Sequence, residues 1–330
     1  MTTFGERFRA LMAERRVSQR RLADLVPCND GYLSRVARGE RVPSGRIAER
    51  LDELLDAGGQ LAALRDPSPW RTLNGAVSLD DRERLALAAK RPARLDTATL
   101  DTLSAVLAGQ RRLEDTIGPA ALLSPVTGQL DVLTSMLRDA PAPMRDRFGR
   151  LVAEWSVFAG WLNAALRRDA QAVALFDRGA ELADEFEDGT IAALAVSFAG
   201  YVARQQGRPR AVVRASAAAL ATPGAHPAQR VFDRLQSARA HAALGYTDQA
   251  RRILHDAADH ADDVTDPPPP IYWYSPPFFR LVIGITLSSL GDHEDAAALV
   301  AEGKAGLPVE QQSAEWVAEF DEILERDRAD

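Results

Sequence analysis

A single cysteine, Cys28, leaves this 330-residue chain no internal disulfide and too few thiols for a cysteine zinc site, which fits a reducing compartment. No run approaches the roughly 18 apolar residues of a membrane span. Arg7, Arg9, Arg15 and Arg16, with Glu6 and Glu14, interrupt the first residues, so no signal-peptide core forms there. The expected location is therefore cytoplasmic, with no membrane partner. Catalytic motifs are missing too: there is no phosphate loop, no HExxH and no GxSxG. His255 and His260 would lie about 140° apart around a helix, the wrong geometry for a shared metal. His293, Glu294 and Asp295 open a repeat helix, and the acidic stretch DHADD reads as a solvated helical face. These absences speak against an enzyme, and no cofactor or metal is expected. Lysine occurs only at Lys90 and Lys304, which follows from GC-rich coding and says little about function.

What is present is a globular composition, with 46% apolar and 26% charged residues. The length suits a small domain plus a repeat array with a continuous core. Charge divides sharply along the chain. Residues 1–50 hold eleven arginines against six acids, a net of +5, while the remaining 280 residues carry a net of −12. A basic head on an acidic body implies that the head alone meets a polyanion, because phosphate neutralisation needs clustered cations.

The head reads as four short helices. Phe4, Phe8, Leu11 and Met12 recur at helical spacing over residues 3–15. Ser18 caps a second helix, SQRRLADLV, which buries Leu22, Ala23 and Val26 and ends at Pro27. In CNDGYLSRVARGE, Asn29 caps a third, Leu33 and Val36 point inward, and Gly39 supplies the left-handed stop. Ser44 starts a fourth through Ile47, Ala48, Leu51, Leu54 and Leu55, closed by Gly58 and Gly59. Cys28, at an apolar turn position, reads as a small buried hydrophobe rather than a redox sensor. A three- to four-residue turn between the middle helices is the geometry of a major-groove reader. Arg35 and Arg38 lie opposite Leu33 and Val36, and an arginine fork matches guanine O6 and N7. Arg41 and Arg46 read as phosphate contacts that set register.

SQRRLADLV followed by GYLSRVARGERVPS resembles the Xre, or lambda-repressor-like, helix-turn-helix family over about residues 4–65. The resemblance implies that Gln19 meets a DNA phosphate, and its neighbour Arg20 reads as a further DNA-binding residue. It places the exposed residues of the third helix, Asn29, Asp30, Tyr32, Ser34, Arg35 and Arg38, against base edges. Pro27 stands where the family usually has glycine, and Ala37 where it often has glutamate.

Residues 67–95 mix prolines, turn residues and charge around one helical run near 79–90 and read as a linker between a 1–66 domain and a 96–330 domain. From Asp96 the pattern is helical, with segments over 97–116, 119–140 and 144–168, and no strand alternation follows. An internal repeat lies between Glu154 and Pro308. Gly160, Gly200, Ala238 and Gly284 sit mid-way along first helices, and Gly207, Gly245 and Gly291 close turns. Ala172, Ala211, Ala250 and Ala296 follow in second helices, at spacings of 39, 39 and 46 residues. GYTDQARRILHDA and GDHEDAAALVAEG resemble tetratricopeptide second halves, although that family repeats at about 34 residues; a HEAT-like array is the competing description. The expected fold is all-α: a helix-turn-helix domain followed by an α-solenoid of tetratricopeptide-like helix pairs.

In such an array the residue after each small one faces the concave groove. Here these are Trp161, Tyr201, Arg239 and Ile285, with Arg204, Phe232 and Phe278 one turn away. Aromatics beside arginines suit a peptide or an anionic small molecule, and equally suit ordinary interhelix packing. The architecture is similar to bacterial peptide-pheromone receptors, yet Asn163 is the only asparagine after residue 74, where those receptors use asparagines to clamp a peptide backbone. Tyr272, Trp273 and Tyr274, between prolines, read as a packing plug, a lid over the groove or a partner-binding knob. Val309, Trp316, Val317, Phe320 and Ile323 form a stripe on one C-terminal helix that caps the array or pairs with a second subunit. The resulting expectation is a homodimeric regulator that binds double-stranded DNA and responds to a peptide or small-molecule effector. The alternative is an interaction scaffold with a vestigial helix-turn-helix that sequesters a partner protein.

Overall fold

The computed structural model describes residues 4–26, 28, 30–39, 41, 43, 45–57, 61 and 78–329, and among them helices are the only regular structure. None of these helices is long and apolar enough to cross a membrane. The chain divides into two compact units, Met1–Asn74 and Gly75–Asp330. The expected boundary at 66–67, the cap at Ser44, the stop at Gly58 and Gly59, and Pro27 and Asn29 lie outside the described residues.

In the first unit, α1 (Phe4–Glu14), α2 (Gln19–Leu25), α3 (Asp30–Ala37) and α4 (Gly45–Leu54) follow the apolar spacing of the sequence. The Ser18 hydroxyl accepts the Arg21 N–H at 3.3 Å and so starts α2. Gly39, at φ 77°, adopts the left-handed backbone at the end of α3. Phe8, Leu22, Leu33, Val36, Ala48 and Leu51 are fully buried, each of the larger ones contributing on the order of 2 kcal/mol. At Gly5 a Cβ would come within 2.8 Å of the Val36 and Ala37 carbonyl oxygens, so α1 meets α3 backbone to backbone. The buried Asp52 carboxylate accepts the Leu61 N–H at 2.6 Å, satisfying a donor that the core would otherwise strand.

The second unit begins with α5 (Leu79–Lys90), capped by Ser78, inside the stretch read as a linker. It packs on α6 (Thr97–Ile117) and α7 (Pro119–Leu137), so that part of the stretch belongs to the body. Four antiparallel helix pairs follow: α8 (Ala142–Ala165) with α9 (Asp169–Glu185), α10 (Gly189–Gln205) with α11 (Pro209–Ala221), α12 (Pro227–Ala243) with α13 (Thr247–Ala258), and α14 (Pro276–Ser288) with α15 (His293–Gly306). Successive first helices, α8, α10, α12 and α14, also touch one another, which makes the body a solenoid with these four along one side.

The small residues are where the pairs close. A Cβ on Gly160 would sit 2.6 Å from the Phe176 ring, and one on Gly284 2.6 Å from Val300. Ala172, Ala250 and Ala296 are fully buried on the second helices, whereas Ala211 is partly exposed. Gly207, Gly245 and Gly291 take positive φ in the turns (64°, 79° and 89°), and in the first pair Arg167, at φ 57°, occupies the corresponding turn without glycine's freedom.

The proline-rich loop before α14 contains one 3-10 turn, Pro269–Ile271. One sequence expectation changes. The C-terminal stripe is split between α16 (Val309–Gln312) and α17 (Glu315–Ala329), with Val309 80% exposed. Val317, Phe320, Ile323 and Leu324 alone form the buried face, and they pack α17 on α14 and α15.

Glycines with and without room behave oppositely under the same substitution. Gly109 lies on an exposed stretch of α6 where a Cβ would meet nothing within 4 Å, so Gly109→Ala is expected to stabilise the protein by up to about 1 kcal/mol through helix propensity. Gly284→Ala, forced against Val300 and the Ala296 carbonyl, is expected to cost about 1–3 kcal/mol. Urea unfolding of the two variants beside the wild type checks both signs.

Candidate functional site

In the head, α3 presents its polar face to solvent. Asp30, Arg35 and Arg38 are exposed, Tyr32 and Ser34 are half-buried, and Leu33 and Val36 anchor the opposite face. Gln19, at the start of α2, donates its amide to the Asp30 carboxylate at 2.7 Å and to its carbonyl at 3.1 Å. Two residues read separately, one for phosphate and one for a base edge, are thus joined across the turn and fix α3 relative to α2. Arg38 donates to the Ser34 hydroxyl at 2.8 Å, and the Arg41 guanidinium lies 4.9 Å from the Tyr32 ring centroid as a cation–π contact. Ser34 and Tyr32 therefore orient arginines. Arg20 and Arg35 are exposed, and no described side chain pairs with either. Arg46 lies in α4 with its side chain outside the described part, and Asn29 is outside it altogether. Cys28 packs against the head core, where burial raises its thiol above the ordinary value.

In the body, all seven residues read as groove-facing (Trp161, Tyr201, Arg204, Phe232, Arg239, Phe278 and Ile285) line one cavity of about 120 Å³. The register of the small residues brings them together, since each stands beside a close helix contact on α8, α10, α12 or α14. The rings pack tilted against one another: Trp161 lies 5.3 Å from both Phe198 and Tyr201, and Phe278 lies 6.0 Å from Phe232. A wider cleft of about 730 Å³ adjoins it and shares Trp161, Tyr201, Arg204, Gln236 and Arg239 among its walls.

Three acids on the lining, with Arg111, Phe198 and Gln236 among others, escaped the sequence reading. Glu319 of α17 accepts from Arg204 at 2.7 Å and from the Tyr201 hydroxyl at 3.2 Å. Its carboxyl is held below the ordinary range although burial opposes this, because Arg204 lies against it. Asp115 of α6 accepts from the Trp316 indole at 3.0 Å, from Gln311 at 3.5 Å and from the Tyr272 hydroxyl. Glu114 beside it is pushed up to about 7, by burial first and by the Asp115 charge second. The loop aromatics complete the wall: Trp273 stacks on Phe198 at 6.0 Å, while Tyr274 is fully buried against Phe232 at 5.0 Å. The plug reading of this loop describes Tyr274, and Trp273 faces the cavity. No cluster of three or more potential metal ligands occurs among the described residues.

Outside the cavity lining, α12 carries a buried acid. Asp233 of α12 is fully enclosed and accepts from Ser197 and from Gln229, both at 2.7 Å. Burial pushes its carboxyl up to about 7, against the pull of those two hydrogen bonds.

A family model described as a helix-turn-helix domain matches residues 3–64, so the chain carries such a domain at its N-terminus. Among curated proteins none matches the sequence. Of solved structures, Bacillus thuringiensis PlcR in complex with the peptide PapR7 and DNA is similar at 10% identity, over 100% of this chain and 99% of that one, with a TM-score of 0.37. Backbones that differ this much give no basis for transferring the neighbour's ligands.

Asp233 makes stability depend on pH in a defined direction. Unfolded, it titrates near the ordinary carboxylate value of about 4; folded, it holds its proton to about 7. Its contribution is therefore complete below about pH 4 and is lost as pH rises through the folded value, because the unfolded chain releases the proton first. Asp233→Asn removes this term. The stability of the variant relative to wild type, from urea midpoints, should rise between about pH 5 and pH 7 by on the order of 1 kcal/mol per unit. A difference that does not change with pH would show that the carboxyl ionises inside the fold as it does outside.

Proposed function

We propose that the chain is a cytoplasmic, homodimeric transcription regulator that binds specific DNA sites through its helix-turn-helix and changes its affinity for them when an effector occupies the cavity of the helical body. The observation that carries the reading is Arg35: it is exposed on the second helix of the motif, with no partner among the described residues. A bare guanidinium in that position is available to fork onto guanine in the major groove. Arg38, steadied by Ser34, reads the neighbouring pair of the same strand or the backbone beside it. Arg20, Arg41 and Arg46 meet phosphates, which place the helix without reading sequence. Gln19, bonded to Asp30, serves to hold the reading helix in register, with a phosphate within reach of its remaining hydrogen-bonding capacity.

Two such heads on a two-fold axis would read half-sites about one helical turn apart. Sequestration of a partner protein by a scaffold with an inert head predicts the opposite at the same residues, since arginines that meet no DNA are free to change.

The test is substitution at the reading helix, measured on the preferred site and on scrambled duplexes. Arg35→Ala should lower affinity for the preferred site by about 1–3 kcal/mol, with the loss concentrated at particular base pairs. Arg41→Ala should weaken all duplexes alike and reduce the salt dependence by about one counterion. Uniform loss from Arg35→Ala would refute base reading by α3, and no retention of any duplex by the wild type at low salt would favour the scaffold.

A further inference from the structure

Arg239 is a charge that nothing else in the body accounts for. It lines both the inner cavity and the wider cleft, is largely buried, and makes no hydrogen bond or ion pair with any described residue. The nearest acids are already engaged. Glu319 is held by Arg204 and Tyr201, and Asp327 accepts from Ser289 and pairs with Arg326, both at 3.2 Å. Burial, and after it the like charge of Arg204, pushes Arg239 down to about 9, so it still carries its proton at neutral pH. Glu319 and Asp327 offset this only in part, since each is bonded to other groups; a partly buried cation without a bonded counter-charge destabilises the fold, and an anion arriving from solution relieves that cost.

A second unsatisfied group stands one turn earlier on α12. Gln236 donates its amide to the Ser197 carbonyl and the Ser216 hydroxyl, each at 3.4 Å, while its side-chain oxygen is buried without a partner among the described residues. The same residue lines both spaces. One face of α12 thus offers a free cation and a free acceptor at adjacent turns.

Size narrows the occupant further. The inner cavity measures about 120 Å³, a little less than the apolar cavity of about 150 Å³ that holds one benzene ring. It takes no more than a ring, so an extended peptide is far too large for it, and the polar end of an occupant lies toward the wider cleft that Arg239 and Gln236 also line. Of the three acids on the walls, Glu319 is paired with Arg204, Glu114, pushed up to about 7, is partly protonated at neutral pH, and burial raises the Asp115 carboxyl, so their opposition to an anion is reduced.

We propose that this cavity is a receptor for a small aromatic monocarboxylate, with its ring among Trp161, Phe198, Phe232 and Phe278, its carboxylate forked by Arg239, and an adjacent O–H or N–H accepted by Gln236. This rests on the reading of the cavity as the effector site and names the class of effector. Arginine supplies the planar two-point contact that a carboxylate matches and an ester does not.

The test titrates the full chain with mandelate, with phenylacetate, which lacks the hydroxyl, and with the neutral methyl ester of mandelate. Binding is read by calorimetry and by the fluorescence of the cavity tryptophans Trp161, Trp273 and Trp316. Mandelate should bind saturably, and its ester at least about ten-fold more weakly. Arg239→Met should fold at least as well as wild type and bind acid and ester alike. Equal affinity for acid and ester in the wild type, undiminished acid binding in Arg239→Met, or no saturable binding of either acid below about 10 mM would each overturn the proposal. Retention of the same full chain on DNA separates the two readings. DNA binding with indifference to the acids leaves the regulator and removes this ligand class; acid binding with ester discrimination but no DNA retention does the reverse.

Discussion

Three segments that are remote in sequence converge on the carboxylate of Asp115: Tyr272 from the proline loop, Gln311 from α16 and Trp316 from α17 all donate to it. Asp115 lies near the end of α6, where the body begins, and two of its three donors come from the last helices. A solenoid of helix pairs has no intrinsic reason to bring its ends together, because each pair needs only its neighbours. This buried acid supplies the reason. Burial raises its pKa and the three donors lower it. Remove them and a charge or an unpaired acid is left in a dry place, which in general costs more than the bonds contribute when made. With the ends tied, α17 covers the first helices, Glu319 reaches Arg204 and Tyr201, and Trp273 comes to rest on Phe198. The groove of an open array becomes a small cavity walled by rings.

The two units carry their charge in opposite ways. In the head, Arg35, Arg38 and Arg41 stand on the surface at and after α3, where Arg38 meets a serine and Arg41 a tyrosine ring, while Arg7, Arg15 and Arg50 elsewhere in the head pair with Glu14, Asp56 and Glu53. In the body, the charges that are buried include matched pairs, as in Arg111 with Glu154 and Arg204 with Glu319. Exposed cations suit a polyanion that brings its own counter-charge, whereas buried matched ions hold helices in register. The division of net charge, +5 in the first fifty residues and −12 in the rest, is the trace of these two uses in the sequence.

The local rules of helix formation were readable from the chain. Apolar spacing located α1 to α4 and most of the body helices, Ser18 marked a start and Gly39 a stop, and the repeated small residues set the register that gathers Trp161, Tyr201, Arg239 and Ile285 on one wall. Polar groups whose environment is decided by other elements were not readable. Asp233, with Gln229 and Gln236, looks in sequence like a solvated stripe, and it is buried because α12 is packed by helices on several sides. Glu319 and Asp115 look like ordinary helical acids, and only the return of the C-terminus makes them structural. The continuous C-terminal stripe failed for a local reason: the helix breaks after Gln312 and turns Val309 out to solvent. Gln19 and Asp30 were each assigned to DNA without sight of the other, since eleven residues separate the two.

The measurement that bears most directly on this account is hydrogen exchange of the full chain with and without Asp115→Ala. If the buried acid ties the ends of the body, protection should fall together in the C-terminal part of α6, the 265–277 loop and α16–α17, while the α8–α13 pairs and the head keep theirs. Loss confined to α6, with α17 and the loop as protected as before, would contradict it and show that helix stacking alone closes the cavity.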